Sequence, residues 1–392
     1  MFNDPRTETT DESAYVDLTY QRQLANEIEL TARLSFNRYR YDGVYPFDMA
    51  NVGDPPLLVL NRDASRGEWW GGEVKANRQF FDRHTLTAGV EYRDNFRQDQ
   101  SNYYEQPGSY SLDDRRESQT VGLYGQGEFM LWTNLLFNAG VRYDYGTAYE
   151  GTVNPRLGLI YSPWAETTFK LLYGRAFRAP NVYELFYQDG TTTRANPDLL
   201  PERIHTYELV YEQGLRGPLR LNLAGYYYTI DDLITQQTNL LDGMFVFENI
   251  QKIQALGIEA GLEAKHENGW AWRLSYARQR AEQVDTQASL SNSPEHLAKL
   301  NVIAPLVSDK LFAGLELQYS GAVTTWAGGR ADEFWIANVT LFNRKLVKGL
   351  ELSASVYNLF DQRYGYPGAG EHTQDVLWQD GRTFRVKLTY RF

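Results

Sequence analysis

The residues with the most chemical potential in this chain are histidines, paired acids and aromatics in turn-rich segments, and their spacing argues against catalysis. His84, His205, His266, His296 and His372 are scattered, with no HxH or HxxxH spacing to bring two imidazoles to one metal. No GxSxG occurs to present a serine nucleophile. Cysteine is absent from the 392 residues, which removes disulfides, thiolate zinc sites and thiol nucleophiles together. No enzyme activity, cofactor or resident metal is expected. The acid pairs Asp113-Asp114 and Asp231-Asp232 could chelate calcium, but they lack the ligand spacing of a calcium loop and read equally as solvated surface.

Recognition is the better use of these residues. Tyr103, Tyr104, Tyr187, Trp326, Tyr366 and Trp378, with Tyr41, Tyr45, Tyr110, Phe245 and Tyr364, fall in or beside segments rich in turn formers. Aromatic rings with a few polar groups suit a planar chelate, although some must serve an interfacial girdle instead. Arg178 and Arg330 are candidates for bidentate contact with an anionic ligand. Loop ordering, or contact with lipopolysaccharide, is the competing role for each.

The elements that hold these segments have a period of two. From residue 27 to 41 one parity reads Ile28, Leu30, Ala32, Leu34, Phe36 and the other Glu29, Thr31, Arg33, Ser35, Asn37. The same split recurs at 85–93, at 135–144 and at the end, where Phe384, Val386, Leu388, Tyr390 and Phe392 oppose Arg385, Lys387, Thr389 and Arg391. About 17 strands are expected, each near or somewhat above the roughly 9 to 11 residues that cross a bilayer at a tilt. Short links (22–26, 81–84, 132–134, 162–166, 213–217, 266–269, 305–309, 343–348) alternate with long ones (42–66, 94–116, 179–201, 232–251, 284–294, 361–379). A soluble sandwich has no reason to keep that alternation, whereas an outer-membrane barrel places tight turns in the periplasm and long loops outside. The fold class expected is all-β, a transmembrane antiparallel barrel.

Composition fits. The chain carries 28 Tyr, 19 Phe and 9 Trp with a mean hydropathy of −0.52, as a wall greasy on one side and wet on the other would. No run approaches the roughly 20 apolar residues of a spanning helix. A formal net charge of −11 argues against a nucleic-acid partner and suits either a cation-handling surface or soluble loops. Met1-Phe2-Asn3-Asp4-Pro5 shows no signal peptide. The first strand, near Tyr15 to Tyr20, and the last both run toward the short-turn side, so an odd strand count and an external start are expected, with upstream sequence missing.

Five segments resemble the C-terminal barrel of TonB-dependent outer-membrane receptors. Asn154-Pro155-Arg156-Leu157-Gly158-Leu159-Ile160-Tyr161 is similar to the family's mid-barrel strand, and Tyr173-Gly174-Arg175-Ala176-Phe177-Arg178-Ala179-Pro180-Asn181 to the stretch after it. Asn196-Pro197-Asp198-Leu199-Leu200-Pro201-Glu202 resembles the NPxLxPE loop, Tyr357-Asn358-Leu359-Phe360-Asp361-Gln362-Arg363-Tyr364 the NLFD element, and residues 381–392 the closing strand. The resemblance spans essentially the whole chain. It implies a 22-stranded barrel of which about five strands, the N-terminal plug and the TonB box are absent from residues 1–392. It also implies uptake of a chelated nutrient, a ferric siderophore first and cobalamin next, energised by the TonB complex, in contact with outer-membrane lipid and lipopolysaccharide. A passive porin-like pore is the alternative. On this resemblance Arg142, Asp144, Arg156, Glu259 and Glu316 face the plug, or else only solvate the lumen. Gly158, Gly174 and Gly257 admit the plug's backbone, or else relieve curvature.

Overall fold

The structure, a computed structural model, describes residues 4–24, 27–50, 53–106, 108–190, 192–250, 252–307, 310–343, 349–369 and 372–392. The chain begins with the strands β1 (Glu8–Gln23), β2 (Ile28–Asp48), β3 (Leu58–Phe80), β4 (His84–Tyr104) and β5 (Ser109–Trp132). Then come β6 (Leu135–Gly146), β7 (Tyr149–Trp164) and β8 (Thr167–Arg178). A short helix α1 (Val182–Phe186) and β9 (Thr193–Arg194) precede β10 (Glu202–Gly214) and β11 (Leu219–Asp231). The hairpin β12 (Leu233–Thr238) and β13 (Phe245–Ile250) leads into β14 (Ile253–Lys265), β15 (Ala271–Gln283), β16 (His296–Val307) and β17 (Leu311–Ser320). A small pair, β18 (Val323–Thr324) and β19 (Arg330–Ala331), precedes β20 (Phe334–Asn343) and β21 (Leu350–Tyr357). The hairpin β22 (Gly365–Pro367) and β23 (Val376–Trp378) lies before the last strand, β24 (Thr383–Tyr390).

Seventeen of these form one sheet in which each strand pairs with the next in sequence, every pairing antiparallel, leaving β1 and β24 as its edges. The expected strand count holds. Register follows the parity read from the sequence: Leu171 pairs with Leu209, and Leu86 with Gly127, on the apolar face. That face is the more exposed one. Leu171 is 59%, Leu209 58%, Leu256 64% and Ile258 57% exposed, with no second layer over them among the described residues. A water-soluble sandwich would bury this parity against itself, so the wall requires an apolar solvent. Trp132, Trp164 and Phe81 stand exposed at the tight-turn end, as interfacial aromatics do. The main buried cluster, Leu185, Leu199 and Ile234 with Phe186 and Phe247 against it, lies in the loops rather than in the wall.

Two expectations need correction. Residues 42–66 and 94–116 are not long loops: β2 to β5 run on for 21, 23, 21 and 24 residues and leave only 49–57 and 105–108 as connections. Register shifts at Glu68/Trp70 and Asn95/Gln98 break the period that would have marked the continuation. The outer connection between β6 and β7 is a tight turn, with Gly146 paired to Tyr149, so short and long links do not alternate strictly.

Candidate functional site

The polar parity lines a recess of about 920 Å³ between β3 and β10. Arg142 on β6 and Arg156 on β7 lie at its centre because Asn154 and Arg156 pair with Arg142 and Gly140 in register. The Arg142 guanidinium donates from Nε to Asp144 at 2.7 Å and reaches Glu91 at 2.9 Å. Asn154 Nδ2 donates to the other Asp144 oxygen at 3.4 Å. Three further oxygens on this wall, Asn138 Oδ1, Thr152 Oγ1 and Asn154 Oδ1, are buried without a hydrogen-bond partner among the described residues. Arg142, Asp144 and Arg156 thus come together. Glu259 sits apart on β14 opposite Ala224 and Ala277, and Glu316 apart on β17, where it accepts from Asn338 at 3.2 Å.

Of the three lumenal glycines, Gly257 has a use other than admitting a foreign backbone. A Cβ on Gly257 would stand 2.3 Å from the Tyr226 ring, so a tyrosine of the adjacent strand, not a foreign backbone, fills that gap. The Tyr226 hydroxyl then reaches Gln279 on the strand beyond, at 3.2 Å. Gly89 takes the Tyr124 ring in the same way, and that hydroxyl donates to Glu73 at 2.6 Å. Each tyrosine therefore ties three strands together. Gly158 lies under Leu172, and Gly174 faces open space in the recess.

Above the lumen the loops form an ordered rim, and Arg178 holds its centre. Its Nε and Nη2 donate to Glu202 at 2.7 and 2.8 Å, and its Nη1 donates to both oxygens of Glu184 at 2.9 Å. Glu184 also closes a capping box with Asn181 on α1, and Glu202 accepts from the Ile234 amide at 2.8 Å. The two carboxylates hold the guanidinium proton more tightly than usual. Arg178 is thus engaged in loop ordering. Local sequence pattern does not mark Glu184 and Glu202 as its partners; the Asn181-x-x-Glu184 spacing is the one local signal for the cap.

α1 leans on the inner face of β4 and β5. Gln100 donates to the Val182 carbonyl at 3.0 Å and Asn102 to the Tyr187 hydroxyl at 3.2 Å, while Arg116 lies 3.3 Å above the Phe186 ring. Tyr187 and Tyr104 are buried, Tyr187 tilted against Tyr183 at 4.5 Å and Tyr104 beside Phe47 at 6.1 Å. Tyr103 packs on Tyr110 at 4.8 Å. The other four candidates gather on the opposite side, where β19 lies against β22. There Tyr366 meets Phe334 at 5.6 Å, Trp378 lies 4.1 Å under Arg363, Trp326 is exposed, and Arg330 pairs with Glu333 at 3.2 Å. Each acid of the two Asp-Asp pairs has a basic partner: Arg115 and Arg116 for Asp113 and Asp114, Lys252 and Arg203 for Asp231 and Asp232.

Asp63 lies under this rim, and burial pushes it up to about 6 against the pull of hydrogen bonds with Tyr187 and Asn102. An aspartate raised above its open-state value near 3.8 resists ionising while the loop is packed, so packing is strongest below about 4 and weakens as pH rises to about 6. Hydrogen exchange at 182–187, normalised for intrinsic rates, is expected to report more frequent opening at pH 7 than at pH 5. Asp63→Asn should flatten that difference.

An antiparallel wall with a lipid-facing apolar parity, a polar lumen and an elaborated rim defines an integral outer-membrane β-barrel. The particular family follows from comparison: the family model described as TonB dependent receptor-like, beta-barrel matches residues 1–359, and the chain belongs to that family. Among curated proteins it is 25% identical over 386 residues to the vitamin B12 transporter BtuB of Vibrio cholerae, covering 92% of this chain and 55% of that one. It is 24% identical over 379 residues to the ferric enterobactin receptor of Pseudomonas aeruginosa, covering 82% of this chain and 50% of that one. The chain therefore spans about half the length of these relatives. The crystal structure of the ferric-catecholate import receptor Fiu from K12 E. coli superposes with a TM-score of 0.76 at 17% identity, over 99% of this chain and 65% of that one, which shows the fold.

Proposed function

We propose that the protein imports a chelated nutrient across the outer membrane, a ferric siderophore foremost, using energy delivered by the TonB complex. The observation that carries this is the lumenal wall: its recess gathers Arg142, Asp144 and Arg156 with Glu73 and Glu208, a charged surface suited to ion pairs with a folded occupant. That occupant is a plug domain held by breakable ion pairs. Residues 1–392 then form the later part of the receptor barrel, joined by further strands. In support, β1 and β24 run in the same direction and so need an odd number of intervening strands to close antiparallel. The aromatics of the rim supply surfaces for a planar ligand.

The match to BtuB over 92% of the chain favours cobalamin as the second reading. The test is growth of a receptor-deleted strain carrying the full-length gene, with single ferric chelates or cobalamin as sole source. Rescue by a ferric siderophore, lost when TonB is deleted, is expected. Rescue by cobalamin alone would move the assignment to the second reading, and rescue independent of TonB would replace both with a passive pore.

A further inference from the structure

The outward wall between β8 and β16 carries the same three side chains twice. Arg175 pairs in register with His205, and Arg278 with His296. Two positions nearer the tight turns on the same face, the Tyr173 hydroxyl lies 3.2 Å from His205 Nδ1 and the Tyr276 hydroxyl 2.7 Å from His296 Nδ1. All six side chains share the parity of Leu171, Leu209 and Leu274, so they face the membrane rather than the lumen. They stand where the aliphatic band gives way to tyrosine, the level of the lipid headgroups.

Their neighbours are neutralised and they are not. Arg203 has Asp232 at 3.9 Å, Arg280 has Glu282 at 2.8 Å, and Lys252 has Asp231 at 3.4 Å. Among the described residues neither Arg175 nor Arg278 forms an ion pair with a carboxylate, unlike Arg203 and Arg280 beside them. An arginine fork left without an acceptor at the edge of hydrocarbon is costly, and a phosphate group fits that fork bidentately. We infer that each Arg-His-Tyr set binds the headgroup phosphate of a phosphorylated lipid in the outer leaflet, whose acyl chains cover the aliphatic wall below. A free phosphate ion has the same head chemistry without those chains. The inference rests on the membrane-facing parity and not on the imported cargo.

The test uses the folded protein in an uncharged detergent, with diphosphoryl lipid A as the probe and bound lipid counted by native mass spectrometry. Arg175→Gln and Arg278→Gln are each expected to weaken retention at one site by at least about tenfold, the ratio that a 1.4 kcal/mol loss represents. Arg→Lys at the same positions should restore part of it, and a heat-dependent gel shift checks that each variant is folded. Independently of any variant, the unmodified protein should retain dephosphorylated lipid A at least about tenfold less well, and millimolar inorganic phosphate should not displace the phosphorylated lipid. Equal retention of the two lipids, unchanged retention by both Gln variants, or displacement by inorganic phosphate at the lipid's own concentration would each overturn the assignment.

Discussion

Leu209→Arg is expected to destabilise the barrel by about 2–4 kcal/mol in lipid vesicles, the cost of a guanidinium facing hydrocarbon near mid-bilayer. Leu209 lies midway along β10, between Leu171 and Gly225 on the outward face, and is already more than half exposed. At such a site in a water-soluble protein, the same change would register within about 0.5 kcal/mol. Thr206→Arg, one pleat away on the lumenal parity beside Glu208, supplies the control and is expected to cost no more than about 1 kcal/mol. Denaturant titration of both variants in the same vesicles reads the contrast. Equal, small losses would mean that the apolar parity meets water, and the membrane assignment would fail.

Arg178→Ala is the second large effect. It leaves the side chains of Glu184 and Glu202, only 11% and 14% exposed, facing one another without their shared cation. Removing one partner of a buried ion pair costs about 3–5 kcal/mol, and roughly 2 kcal/mol is the fitting figure here because the Arg178 side chain itself is partly solvated. The expectation is about thirtyfold faster amide exchange across 181–202, with β10 and β8 unaffected below the rim. Arg178→Lys should recover little, since a single ammonium cannot serve both carboxylates with the same fork. Unchanged exchange in the alanine variant would show that the loop is held by its small apolar cluster alone.

Sequence legibility tracked the solvent. Within the bilayer one face must be apolar, so Ile28 to Phe36 and Leu135 to Tyr143 announced strands, faces and directions, and the seventeen strands could be counted. Beyond it both faces of β2 to β5 meet water or loop, the alternation has no physical cause to persist, and 42–66 reads as a loop. The candidate site was legible only in outline. Arg142, Asp144 and Arg156 were found because their parity is fixed by local pattern. The Arg178, Glu184 and Glu202 triangle was not, because it depends on the pairing of β8 with β10 across a loop. Tyr226 over Gly257 was hidden for the same reason: neither residue is unusual until the register sets them side by side.

The length of β2 to β5 has an outcome for whatever meets the cell from outside. At about 3.3 Å per residue and a typical tilt, strands of this length rise roughly 30 Å above the bilayer. β14 to β24 are far shorter, so the rim is a parapet on one flank and a low sill on the other. A small solute can slip over the sill, whereas an antibody or a phage tail fibre touches the crest at 53–57 and 105–106 first. A bulky reagent added to intact cells should therefore modify those tips before it reaches the lower flank.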